Sequence, residues 1–161
     1  MEVTHSYATS PTQLFELLTS MDFLEERSRR YGGVGQPRVS RNDGAITVTA
    51  TRQIPLDKVP RMARHYVGDG RLTQVDRWDD IDEESVKAAT LSIDPGSMPV
   101  NVTGNHEILA IPQGCRHVTK VNVKVRVPLV GGAIAGPVSS QLEKLLTAEM
   151  RFAETWLAEG R

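Results

Sequence analysis

Residues 2–8 alternate in polarity. Val3, His5 and Tyr7 fall on one side and Glu2, Thr4 and Ser6 on the other, the pattern of a half-buried strand. The period changes after Ser10, whose hydroxyl can cap a free amide. Pro11 is tolerated at the first helical position, and Leu14, Phe15, Leu17, Leu18 and Met21 then recur at helical spacing. Phe23 and Leu24 carry a second short helix predicted over 22–30, which Gly32 and Gly33 stop.

The stretch 36–54 reads as a hairpin. Asp43 and Gly44 supply the positive φ angles of a two-residue turn, which pairs Val39 with Val48 and Arg41 with Ile46. Val39, Ile46, Val48 and Ala50 then share one face, and Arg38, Ser40, Thr47, Thr49 and Thr51 the other. Pro55 and Pro60 interrupt the strands. Val59, Met62, Ala63, Tyr66 and Val67 make an apolar stripe on a short helical piece, which either closes one mouth of a cavity or covers the sheet edge.

Strands return over 71–80 and 85–94, joined near Asp82 and Glu83 by a turn of two or four residues. The shorter turn sets Leu72 opposite Ile93, Gln74 opposite Leu91 and Asp76 opposite Ala89, on a face that also holds Trp78. A last hairpin spans 99–127. With Gln113 and Gly114 as its turn, Val100 pairs with Val127, Val102 with Val125, Gly104 with Val123, His106 with Val121 and Ile108 with Thr119. The opposite face then sets Glu107 against Lys120. Beyond Gly131 and Gly132 the rhythm is helical to the end. Val138, Leu142, Leu145, Leu146, Glu149, Met150, Phe152, Ala153, Trp156 and Leu157 define a helix over 134–158, with Pro137 tolerable only in its first turn.

These elements predict an α+β fold in a single domain, 1–161, with a curved antiparallel sheet wrapped around a long C-terminal helix and two short helices after the first strand. An antiparallel sheet with one solvated face needs an apolar partner for the other, and the terminal helix is the element long enough to supply it. Ala50, Ala89, Gly104 and Ala110 are small for inward positions, so a largely apolar cavity is expected between sheet and helix.

Composition narrows the function. A chain of 161 residues that is 39% apolar and 24% charged is an ordinary globular sequence, and a formal net charge of -1 gives no field for nucleic acid. No apolar run approaches the ~20 residues of a membrane span, and the chain opens on Met1, Glu2 and Val3 without an apolar signal segment. Stable membrane insertion is not expected, and cytoplasmic is the default location. Cys115 is the only cysteine, so no internal disulfide is expected. Arg27, Arg29 and Arg30, beside Glu25 and Glu26, read as a solvated helix face or as an anion contact.

There is no phosphate-cradling loop, no HExxH spacing and no cysteine pair, so no cofactor is expected. His5, His65, His106 and His117 are scattered, and the register just given leaves His106 and His117 far apart along their strands, so no metal site is expected. Ser139 and Ser140 read as capping residues. Candidate chemistry rests on inward polar groups. His106 either orients a ligand carbonyl or shuttles a proton, or is a satisfied core histidine; Asp76 is either its acid–base partner, with Gln74 as an amide beside it, or an exposed carboxylate neighbouring Arg71 or Arg77. Tyr7, Tyr66 and Trp78 line the wall or pack in the core. Val48, Met62, Leu91, Val102, Val121, Val123, Leu142, Leu146 and Met150 complete the expected ligand-binding surface.

The order of strand, paired helices opening at Ser10-Pro11, antiparallel strands and a long helix after Gly131-Gly132 resembles the START-like superfamily, also called SRPBCC, helix-grip or Bet v allergen-like proteins. Tyr7, the stretch 60–70, the segment 72–78 and the ending up to Trp156 are similar to an uncharacterised actinobacterial branch of it. The resemblance implies a helix-grip fold whose cavity binds or carries a small hydrophobic molecule, such as a lipid, a sterol or a polyketide-like compound. It also admits a polyketide cyclase, dehydratase or isomerase, and a non-enzymatic interaction or co-chaperone module. Monomer and dimer both remain open.

Overall fold

The computed structural model describes residues 1–59, 61–79, 86–129 and 131–160. The chain runs β1 (Glu2–Tyr7), α1 (Pro11–Leu18), α2 (Met21–Arg30), β2 (Arg38–Asn42), β3 (Ala45–Gln53), two short 3-10 helices (Leu56–Lys58 and Arg61–Tyr66), β4 (Arg71–Trp78), β5 (Val86–Asp94), β6 (Val100–Ile111), β7 (Gly114–Val125) and α3 (Gly131–Ala158). All seven strands form one antiparallel sheet in the order β1-β7-β6-β5-β4-β3-β2. This is the helix-grip order expected from the sequence, with the 3-10 pair as the insertion after Pro55.

Local chemistry explains the element boundaries. Gln13 N–H donates to Ser10 Oγ and Ser10 N–H to Gln13 Oε1, each at 3.2 Å, a reciprocal cap that starts α1 at Pro11. The β2–β3 turn has φ +49° at Asp43 and +74° at Gly44, and Val39 faces Val48 as the turn residues dictate. The two later hairpins keep the expected faces but shift by two residues. His106 faces Thr119 and not Val121, and Ile108 faces His117 and not Thr119. Pro112 is the reason: with no N–H it suits the second position of a turn and not a ladder, so Ile111 and Gly114 close the hairpin. Likewise Gln74 faces Ile93, Asp76 faces Leu91 and Trp78 faces Ala89. The turn expected at Asp82 and Glu83 lies outside the described residues.

The helix α3 begins at Gly131, earlier than the sequence suggests, so Pro137 lies in the second turn and not the first. Gly131 N–H donates to the Val127 carbonyl at 2.9 Å. Ile134 is buried with Val127 and Ala63, and Val59, Tyr66, Val125 and Val138 pack around them, so the 3-10 insertion covers this end of α3. The main core lies between the concave face of the sheet, α1, α2 and the rest of α3. Leu14, Phe23, Leu24, Val48 and Ile108 are almost fully buried there, and Phe23 stacks on Phe152 at 5.4 Å. Cys115 is fully buried beside its β1 partner Tyr7, and burial pushes its thiol up to about 11.

At Gly104 the β7 backbone comes close to β6, and a Cβ there would collide with the Lys120 carbonyl. Gly104→Ala should therefore destabilise the protein by about 2 kcal/mol, read from the urea midpoint at unchanged slope. Wild-type stability in this variant would show that the strands can part to admit a side chain.

Candidate functional site

Even-numbered residues of β4 and β6 and odd-numbered residues of β7 turn inward, which brings polar side chains from three strands under α3. Gln74, Asp76, His106, His117 and Thr119 are all buried. The Gln74 amide donates to both Asp76 oxygens, at 2.8 and 3.1 Å. His106 Nε2 lies 3.4 Å from Asp76 Oδ1, and its Nδ1 lies 2.8 Å from Thr119 Oγ1 and 3.2 Å from His117 Nε2. Ala89, between Trp78 and His106 on the intervening strand, is small enough for those two rings to stack at 5.7 Å and 17°. The two-residue shift of β7 thus makes His106 and His117 neighbours, contrary to the separation expected from sequence. Among the described residues, no group of three or more His, Cys, Asp or Glu side chains is arranged to hold a metal.

A second polar group descends from the helices. Glu149 of α3 is buried and its Oε1 meets Arg52 Nη2 of β3 at 2.6 Å, while Arg27 Nη1 of α2 stands 3.9 Å from Oε2. Arg52 also donates to the Tyr31 carbonyl at 3.1 Å. The Tyr31 hydroxyl donates to the Ala148 carbonyl and the Tyr7 hydroxyl to the Met150 carbonyl, both at 3.1 Å. Of the two readings of this cluster, Arg29 and Arg30 follow the solvated face, where they ion-pair with Glu26, while Arg27 is buried facing the Glu149 carboxylate, in line with the anion contact.

Between these groups lies a cavity of about 40 Å³. It is lined by Tyr7, Leu18, Phe23, Arg27, Gln74, Asp76, Trp78, His106, His117, Thr119, Leu146, Glu149 and Met150. Of the residues expected to bind a ligand, Tyr7, Gln74, Trp78, His106, Leu146 and Met150 line it, and so does Asp76. Val48, Leu91, Val102 and Val121 are buried in the surrounding core, and Val123 and Leu142 pack against it without lining the cavity. Tyr66 belongs to the cluster at the other end of α3. The Met62 side chain lies outside the described residues.

The cavity is smaller and more polar than the small side chains suggested. The Trp78 and His106 rings stack across Ala89, the β7 backbone lies against Gly104, and Ala110 is exposed. Sequence reading missed Arg52, His117, Thr119 and Glu149 as parts of the site, and named Arg27 only as a solvated residue or an anion contact. Glu149 falls within the apolar stripe of α3, Arg52 continues the inward parity of Val48 and Ala50, and Arg27 lies one turn beyond Phe23 and Leu24. A charged residue in phase with an apolar face was the available signal.

Burial drives the His117 imidazole well below its usual pKa, and the charges of His106, His5 and Arg27 add to the effect. Burial alone would push the Asp76 carboxyl up. The hydrogen bond and charge of His106, the charge of Arg27 and the Gln74 amide outweigh it and hold Asp76 below the usual carboxylate range. Burial, with the charges of Cys115 and Glu154, pushes the Tyr7 phenol far above its ordinary range.

Removing Glu149 leaves two buried guanidinium groups without their carboxylate. Glu149→Ala should cost about 3–5 kcal/mol by urea unfolding, and a loss under 1 kcal/mol would mean the arginines find water instead. His117 stays neutral when folded, whereas the unfolded chain takes up a proton below about pH 6.5, so stability is full above that pH and falls beneath it. This group should contribute a loss of up to about 1.4 kcal/mol per pH unit, which His117→Gln removes. The Asp76 contribution, present above about pH 4, is lost in the lower window. Parallel stability profiles of wild type and His117→Gln from pH 7 to 5 would contradict the assignment.

The fold has solved counterparts. The crystal structure of TTHA0849 from Thermus thermophilus superimposes with a TM-score of 0.66 at 13% identity, covering 99% of this chain and 97% of that one. The Zhui aromatase/cyclase from Streptomyces sp. R1128 gives 0.60 at 10% identity, covering 96% and 90%. These likenesses show the helix-grip fold. In sequence the chain is 28% identical over 145 residues to "Uncharacterized protein Rv0481c" of Mycobacterium tuberculosis, covering 88% of this chain and 80% of that protein. Residues 2–157 match the family described as "Protein of unknown function (DUF2505)", and the chain belongs to that family.

Proposed function

We propose that this chain binds a small, largely apolar organic molecule between the sheet and α3, with a polar end of that molecule held at Asp76 and His106. The lining of the cavity carries this reading. Leu18, Phe23, Trp78, Leu146 and Met150 give apolar walls, and hydrogen-bonding groups converge in one corner, the combination that orients a ligand within a hydrophobic site.

Volume limits the ligand. About 40 Å³ accommodates a few waters, while pockets enclosing drug-sized molecules start at about 300 Å³. A sterol or acyl chain therefore requires α3 to draw away from the sheet, and a compact ring requires less. The tethers at Ala148, Glu149 and Met150 set the cost of that movement. The interaction-module reading has less support. Among the described residues the exposed large apolar side chains are Met21, Val34, Leu56 and Leu129, each on a different segment.

A second reading, acid–base catalysis, is favoured by the Asp76–His106 contact. A carboxylate held ionised fixes an imidazole whose ring borders the cavity, which suits proton transfer during enolisation, dehydration or ring closure of a carbonyl compound. The aromatase/cyclase named among the solved counterparts supports that reading by analogy of fold alone.

Native mass spectrometry of the purified protein, followed by solvent extraction, tests both readings. A stoichiometric apolar adduct is expected, and His106→Ala should weaken its rebinding about tenfold. A clean mass together with no binding across a panel of lipids and aromatic polyketide-like compounds would sink the binding reading. Release of a chemically altered molecule by wild type but not by Asp76→Asn would establish the catalytic reading.

A further inference from the structure

We infer that the ligand also carries an anion of carboxylate type, distinct from the polar end held at Asp76 and His106 and received by the Arg27 guanidinium. The inference rests on the binding reading above and names the chemistry of its deepest contact. Arg27 is only 8% exposed and borders the cavity, yet among the described residues its guanidinium donates no hydrogen bond. Its one ion-pair partner among those residues, Glu149 Oε2, stands 3.9 Å away, beyond hydrogen-bond reach.

The neighbouring carboxylates face other groups. Glu149 Oε1 ion-pairs with Arg52 at 2.6 Å without a hydrogen bond, and Asp76 takes two hydrogen bonds from Gln74 and faces His106. With these pairings made, Arg27 is the cation left with free donors among the described residues of the cavity wall. His117 Nδ1, also buried on that wall, has no hydrogen-bond partner among the described residues and offers a second polar contact. The Arg27 nitrogens are not among the fully buried unpartnered atoms, so they keep accessible surface, and two parallel N–H groups match the two oxygens of a carboxylate. The walls at Phe23, Trp78 and Leu146 are apolar, so the group attached to that head is a ring or chain, admitted as α3 draws away from the sheet, and not a second charged group.

Benzoate and benzamide separate charge from shape. The two tryptophans separate location, because Trp78 lines the inner cavity and Trp156 an open groove between α1 and the end of α3. In a titration followed by the indole N–H resonances, benzoate should shift Trp78 and bind at least tenfold more tightly than benzamide. Arg27→Gln should reduce benzoate to the benzamide level. Arg27→Lys, which keeps the charge but loses the planar fork, should lower benzoate affinity severalfold without changing benzamide, and it decides the matter if Arg27→Gln does not fold. Equal binding of both probes at Trp78 overturns the inference and leaves the binding reading standing. A preference that survives both Arg27 variants, or shifts confined to Trp156, also overturns it. If neither probe moves either resonance, the inference falls, and the binding reading falls with it only when the native mass is also clean and the panel does not bind.

Discussion

A carboxylate in the middle of an apolar helix face constrains this whole molecule. Glu149 cannot remain charged under α3 unless cations reach it, and those come from β3 through Arg52 and from α2 through Arg27. Tyr31 and Tyr7 attach to the carbonyls on either side of it. Four contacts from the sheet, α2 and the segment after it thus meet one turn of α3. A buried ion pair adds little net stability over apolar packing, but the wrong helix rotation would strand three charges. The arrangement fixes the azimuth of α3 more strongly than its affinity for the sheet.

That constraint also shapes the interior. Helix-grip folds leave space where a straight helix crosses a curved sheet, and here much of it is occupied by arginine stems and a stacked pair of rings. The remaining chamber is mixed in character. Its polar corner is built from β4, β6 and β7, its apolar wall joins Trp78 of β4 to residues of α1, α2 and α3, and Arg27 and Glu149 bring charge from the helices.

The fold was legible because its signals are local. Ser10-Pro11, Asp43-Gly44 and the alternation of valines in β6 and β7 each specify an element or a face without knowledge of the rest. The hairpin at Pro112 was misplaced because Gln-Gly resembled a turn, while the missing N–H of proline decided the register. That two-residue error left the faces intact and hid the contact between His106 and His117. The site was half legible for a related reason. Parity marks Asp76 and His106 as inward, but Arg27, Arg52 and Glu149 come from separate elements, and charge at such positions ordinarily signals solvent. Only their mutual proximity makes their burial tolerable, and proximity is a property of the assembled chain.

Cys115 has a consequence of its own. Its sulfur is sealed against β1 and its thiol is held at about 11, so oxidants and alkylating reagents meet an inert atom while the sheet edge is closed. Once β1 lifts from β7 the same atom becomes an ordinary cysteine. The chain's single thiol thus acts as a clock for that opening, and its rate of labelling counts departures of the first strand without any probe being added.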